Sequence, residues 1–339
     1  MLKNWSVWVL LTLCIPSLGW AEDLPDEPPH WRFYSVQVEN DFLAFSGDRF
    51  YTHGTEFSLL EVGHPTPAYL STIAAWVPFF EETPQSVALY QMGQKIFTPE
   101  ATWSDVLESD DRPYAGWIYG SVSLVSLLED EKVLRSANGL TLTLGVVGPA
   151  AHGEKVQKAF HQWVDDEPAQ GWQYQLKNEP TLGLGYVRRW QILEKLGNTG
   201  LDYEVAPHFS MALGNVYTYG GGGMILRIGG NLRSDFGPPS TISPGFPGTV
   251  YFAPGGPFSW YVFMGYESRI MGRNLFLDGN TFDSSHRVHR EMIVGDVQRG
   301  FLFQWPRLRI SMSQMIRSKE FDGQSDPVTF GSLNITWVR

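Results

Sequence analysis

Three places in this sequence collect polar residues that a plain strand would not need. Glu39-Asn40-Asp41 closes one alternating stretch, and Asp48-Arg49-Phe50-Tyr51-Thr52-His53-Gly54 opens the next. Further on, Gln157 and His161 stand four apart, so on a helix they share a face, and Glu167 follows. The residue types define a chemistry. A histidine titrates near neutrality and can take a proton from water. A carboxylate with amide and hydroxyl oxygens nearby suits a hard cation such as calcium. A cation beside an ester carbonyl polarises it and stabilises the oxyanion. These parts together would make a metal-assisted esterase without a serine nucleophile. Each also has an ordinary reading. Asn-Asp after a strand makes a turn, a rim histidine is solvated, and Gln157 with His161 would decorate a surface.

Other catalytic templates fit less well. There is no Gly-x-Ser-x-Gly elbow and no His-Glu-x-x-His or cysteine ligand set for zinc. Gly220 to Gly223 do not open a helix after a strand, so they read as close backbone packing within a strand rather than a phosphate cradle.

The elements that must position these residues follow period two. Leu308, Ile310 and Met312 alternate with arginine and serine, and Leu333, Ile335 and Trp337 alternate with Ser332, Asn334 and Thr336. Leu140, Leu142, Leu144 and Val146 alternate with Thr141, Thr143 and Gly145. About twelve such segments occur, near 32–40, 54–62, 86–97, 114–128, 138–147, 179–193, 201–213, 218–230, 258–270, 286–304, 307–318 and 328–338. An even number of half-apolar strands in an exported chain predicts an all-β fold, a twelve-stranded antiparallel outer-membrane β-barrel, closed because open edges cannot sit in hydrocarbon. Trp305-Pro306-Arg307 reads as a tight turn. Within 150–166, Val156, Phe160, Trp163 and Val164 recur at helical spacing. A short helix is expected there, beside the barrel rim.

Strand parity orients the whole. With both termini in the periplasm, the connections 41–53, 98–113, 148–178 and 271–285 are extracellular. The connections 63–85 and 231–257 are periplasmic and long for that side. The first carries an apolar stretch from Tyr69 to Phe80 and the second is rich in Pro and Gly. These two fit a simple barrel least well. A soluble β-sandwich would remove the difficulty and is the competing fold.

Export rests on the first residues. Lys3, an apolar run from Trp5 to Ile15, and Ser17-Leu18-Gly19-Trp20-Ala21 read as a secretory signal peptide, residues 1–21, followed by one barrel domain, 22–339. Cys14, the single cysteine, lies inside it, and cutting there removes one lysine and no acid, taking the formal charge from −11 to −12. So acidic a chain is a poor partner for nucleic acid. With 14% aromatic and 18% charged residues, the composition suits strands half exposed to lipid.

At these residues the sequence resembles a known family. Val38-Glu39-Asn40-Asp41, Tyr51-Thr52-His53-Gly54, Asp111-Arg112-Pro113-Tyr114-Ala115-Gly116-Trp117, and Gly148-Pro149 with Gln157, His161 and Gln170-Gly171-Trp172 are similar to motifs of the lipid A 3′-O-deacylases. The resemblance runs from about residue 31 to the end. It implies a twelve-stranded outer-membrane barrel acting on lipid A, or lipopolysaccharide, in the outer leaflet. The implied reaction is calcium-dependent hydrolysis of the 3′ acyloxyacyl ester. It implies His161 as general base, Asp41 with Asn40 as the cation and oxyanion site, and Thr52, Gln157 and Glu167 as polar residues that orient base or substrate. Two features depart from the family. The loop Phe97 to Asp105 lacks the basic residue that grips the lipid phosphate, leaving Arg112 or Arg49 as substitutes, and the chain ends Trp337-Val338-Arg339 rather than on an aromatic residue. The competing functional readings are a non-catalytic pore or structural barrel, and an outer-membrane phospholipase. Oligomeric state is not legible.

Overall fold

The computed structural model describes residues 30–41, 43, 50–77, 80–129, 134–164, 169–239 and 250–339. The predicted signal peptide, Arg49 and Glu167 lie outside them, as do the side chains of Trp163 and Val164. Among the described residues twelve strands form one closed antiparallel barrel, each paired with its chain neighbours, and β1 (Trp31–Asn40) closes on β12 (Val328–Val338). The others are β2 (Phe50–Val62), β3 (Val87–Thr98), β4 (Ala115–Glu129), β5 (Leu134–Val147), β6 (Glu179–Lys195), β7 (Asp202–Gly214), β8 (Tyr217–Gly230), β9 (Ser259–Asn274), β10 (Ile293–Gln304) and β11 (Leu308–Arg317). Three helices accompany them: α1 (Ala68–Ala74), α2 (Gly153–Val164) and the single turn α3 (Leu275–Asp278). Closure excludes the sandwich.

The predicted segments match these strands to within four residues at either end, with one exception. β10 starts at Ile293, because 286–292 folds over the barrel end, where Arg290 bridges to Phe321. β2 and β5 start four residues earlier than expected, at Phe50 and Leu134, and β9 ends four later, at Asn274. The 305–307 turn is present, with Trp305 N–H donating to the Leu308 carbonyl at 2.7 Å.

Period two sorts the side chains as a membrane barrel requires. Along β9, Trp260, Val262, Met264, Tyr266 and Ile270 are exposed, while Tyr261, Phe263, Glu267 and Arg269 are buried in the lumen. Gly221 and Gly223 on β8 make room there, since a Cβ would meet Arg269 at 2.7 Å and the Tyr266 carbonyl at 2.0 Å. Trp337 is on the outer face, stacked on Tyr34 at 5.7 Å.

The lumen is filled at both ends. At the extracellular end Tyr51, Phe97, Trp117, Phe276 and Phe330 pack together, with α3 dipping inward. At the periplasmic end the long β8–β9 connection enters the lumen, where Val250 and Phe252 join Phe33, Leu60 and Leu89. It is locked by charge. Asp235 pairs with Arg227 and, at 3.7 Å, with Arg309, and Arg227 also pairs with Glu204. Burial pushes the Asp235 carboxyl up, but Arg227 and then Arg309 more than reverse this, holding it below the usual carboxylate range. Between the plugs a cavity of about 110 Å³ remains, bordered by Glu39, Lys95, Arg269 and Arg317. The described parts of the Pro/Gly-rich connection that fitted a barrel poorly, residues 231–239 and 250–257, thus form a plug, and Arg309 and Ser311 line a packed interior rather than a channel.

Candidate active site

Glu39 and Asn40 are adjacent in sequence and lie on opposite sides of the barrel wall. Glu39 points inward, accepting from Gln37 at 2.7 Å and from the Tyr51 hydroxyl. Asn40 has the outward parity of Tyr34, Val36 and Val38, yet it is buried, only 4% exposed. Ile96, Thr98 and Gly116 are also outward positions that become buried near the extracellular end. Something covers the outer wall there, and it is α2.

The seat of α2 is made by two glycines. A Cβ on Gly116 of β4 would lie 3.0 Å from the Gly153 α-carbon, so only glycines allow the helix start this close to the strand. Gln94, outward on β3, donates to the Ala151 carbonyl at 2.5 Å just before the helix. From Gly153 the buried stripe runs to Gln157 and His161, at 2% and 4% exposure. The two polar residues, for which surface decoration is the ordinary alternative, therefore form the wall-facing stripe. Val156 and Phe160 flank it, half-buried.

The facing strand ends supply the rest. Asn40 pairs with His53 across β1 and β2, and its Nδ2 donates to the Thr52 carbonyl at 2.9 Å. A bulge between Tyr51 and His53 turns Thr52 outward, where its hydroxyl meets that of Thr98 at 2.8 Å. The His53 ring lies 6.1 Å from that of Phe160, which precedes His161. The structure thus gathers Asn40, Thr52, Gln157 and His161 on one outer face, with buried Asp41 following Asn40. Among the described residues no three His, Cys, Asp or Glu side chains converge as a metal cluster. A hard cation beside Asn40 would take oxygen donors such as Asp41, the Asn40 side-chain oxygen and main-chain carbonyls, a set of the kind calcium prefers.

Sequence reasoning missed the supports. Trp172 donates its indole N–H to Gln157 Oε1 at 2.8 Å. Its ring packs on Tyr114 at 4.9 Å, and the Tyr114 carbonyl accepts from Leu176 N–H at 2.9 Å. The Asp111 carboxylate accepts from the N–H groups of Glu100 at 2.6 Å and Arg112 at 2.7 Å, tying down the loop that carries Tyr114. Burial holds the Asp111 carboxyl above its usual range. The Asp-Arg-Pro-Tyr motif is therefore scaffolding. Arg112 cannot replace the missing loop cation. It is 1% exposed, points inward over Phe97 and pairs with Glu320 at 3.3 Å. Burial lowers its pKa despite that partner. Nothing in its sequence neighbourhood marked it as inward, because the loop has no period-two register.

Residues 7–339 match the family described as outer membrane protein LpxR. Among solved structures, LpxR from Salmonella typhimurium is similar with a TM-score of 0.71 at 22% identity, covering 90% of this chain and 99% of that one. The β domain of the Bordetella autotransporter BrkA matches at a TM-score of 0.47 and 9% identity, covering 91% and 98%. Comparison with curated proteins gave no match. The family match spans nearly the whole sequence and the closed twelve-stranded barrel agrees with it: this chain is a bacterial outer-membrane β-barrel and belongs to the LpxR family.

Proposed function

We propose that this protein is an outer-membrane lipid A deacylase that hydrolyses the 3′-linked acyloxyacyl ester, with His161 as general base. The observation that carries this reading is the burial of His161 and Gln157 between α2 and the outer barrel wall, beside Asn40 and Thr52. That position adjoins the outer leaflet, where lipid A lies, and not the lumen.

In this reading His161 takes a proton from water as the water oxygen attacks the ester carbonyl carbon. The carbon–oxygen bond to the sugar then breaks, and His161 returns the proton to the departing sugar oxygen. The products are a free fatty acid and a sugar hydroxyl. Calcium, held by Asp41 and the Asn40 oxygen, would polarise the carbonyl and stabilise charge on its oxygen. Gln157, fixed by Trp172, orients base or ester, Thr52 anchors the strand end that carries the oxyanion side, and Glu167 is assigned a supporting polar role.

Purified protein incubated with lipid A in calcium, and again in a chelator, tests the proposal. Release of the 3′ acyloxyacyl group in calcium and its loss with chelator are expected. No release in either condition from folded barrel would overturn it. Phospholipid offered in the same assay separates this reading from a phospholipase. The pore reading is opposed by the two plugs in the lumen.

A further inference from the structure

The β2–β3 connection, residues 63–86, does not hang free below the barrel. In α1, Leu70 and Ala74 are buried against Ala88 of β3, Leu124 of β4 and Leu140 of β5. These are even-numbered positions, the same parity as exposed Met92, Ile118 and Leu144. They belong to the lipid-facing wall. Ser126 has the same parity and is buried, donating to the Thr83 hydroxyl at 3.3 Å, and Thr83 donates to the Leu127 carbonyl at 3.2 Å.

The height of this cover follows from comparing strands. On β9 the exposed outer row runs from Trp260 to Ile270. At about 3.3 Å per residue and a tilt of about 40° that is about 25 Å, a full hydrocarbon belt. On β4 the same row offers only Ile118 and Gly120, because Gly116 lies under α2 and Leu124 and Ser126 lie under the connection. A continuous belt around the barrel therefore requires the α1 segment to stand where periplasmic-leaflet lipid stands elsewhere. Its outer edge fits that place. Tyr69, in the first turn of α1, and Trp76, in the turn just past its C-cap Ala75, are 52% and 85% exposed.

We propose that α1 and the turn after it, residues 68–77, are seated in the periplasmic leaflet, with Tyr69 and Trp76 inserted among phospholipids at the glycerol and headgroup level. Continuity with the barrel's lipid belt names the occupant, and tyrosine and tryptophan are the residues that favour this interface. The inference is independent of the catalytic reading.

Cys14 is the sole cysteine, so Trp76→Cys in a Cys14→Ser background gives one site for a nitroxide label. The labelled barrel is reconstituted in phosphatidylethanolamine and phosphatidylglycerol vesicles, and collision with oxygen is compared with collision with a water-soluble nickel chelate. Met264→Cys serves as the lipid reference and Thr199→Cys as the water reference. The oxygen-to-nickel ratio at position 76 is expected to exceed the Thr199 ratio severalfold and to fall between it and that of Met264. A ratio equal to that of Thr199 would overturn the proposal. So would label–label broadening that disappears on dilution with unlabelled protein, which would mean a second copy covers the patch. Tyr69→Cys, at the other exposed aromatic of the segment, gives a second readout should Trp76→Cys fail to fold.

Discussion

The α-carbon of Gly116 would lie 2.9 Å from a Cβ placed on Gly153, which makes the strand–helix contact a backbone-to-backbone one. This contact sets where α2 lies on the wall, and therefore where Gln157 and His161 lie. A side chain here meets backbone, which cannot swing away, so the helix itself must move. Gly153→Val is expected to lower deacylation by about two orders of magnitude, the usual cost of an ångström-scale misplacement. Thermal unfolding in detergent should change little, because the barrel ladder is untouched. Equal loss of activity and of folded barrel would contradict the assignment.

Trp172→Phe tests the second support. The ring still packs on Tyr114, but Gln157 Oε1 loses its 2.8 Å donor. A buried hydrogen bond contributes about 0.5–1.5 kcal/mol, and a loss in deacylation rate of up to about tenfold is expected. Because both residues act through one hydrogen bond, adding Gln157→Ala should cost less than the two single losses combined. Fully additive rate losses in the double-mutant cycle would sink this account.

The strands were legible because each carries its own period-two record. The site was legible as a set of residue types, but not as a place. Glu39 and Asn40 read as one polar cluster, and only strand parity, checked against burial, sends Glu39 to the lumen and Asn40 to the outer wall. Gln157 and His161 could be read either as site residues or as surface decoration, because a helix alone does not reveal that two glycines, Gly116 and Gly153, dock it by its polar stripe. The two long periplasmic connections looked anomalous for the same reason. Their covers are tertiary: Asp235 closes onto arginines of β8 and β11, and Leu70 closes onto β4 and β5.

Plugging of the lumen predicts electrical silence. Planar-bilayer recordings of the wild type should show no stable conductance, and sustained channel steps would revive the pore reading.

The same plug predicts an acid-sensitive fold. Asp235 is held below its unfolded value, close to the ordinary aspartate pKa of about 3.9. Its contribution is therefore present above about pH 4 and is lost as pH falls through the lower, folded value. Thermal stability in detergent should drop on acidification below about pH 4, and Asp235→Asn should flatten part of that drop. A variant with an unchanged pH profile would remove Asp235 from the lock. At neutral pH the same substitution leaves Arg227 and Arg309 short of a charge and is expected to cost about 3–5 kcal/mol.

The central claim is that His161, buried under α2 on the outer wall, drives removal of the 3′ acyl chains of lipid A. Mass spectrometry of lipid A from cells expressing the wild type or His161→Ala, with both barrels confirmed in the outer membrane, tests it most directly. Lipid A lacking the 3′ acyloxyacyl group with the wild type, and full acylation with His161→Ala, is the predicted result. Equal deacylation by both proteins, or fully acylated lipid A with both, would contradict it.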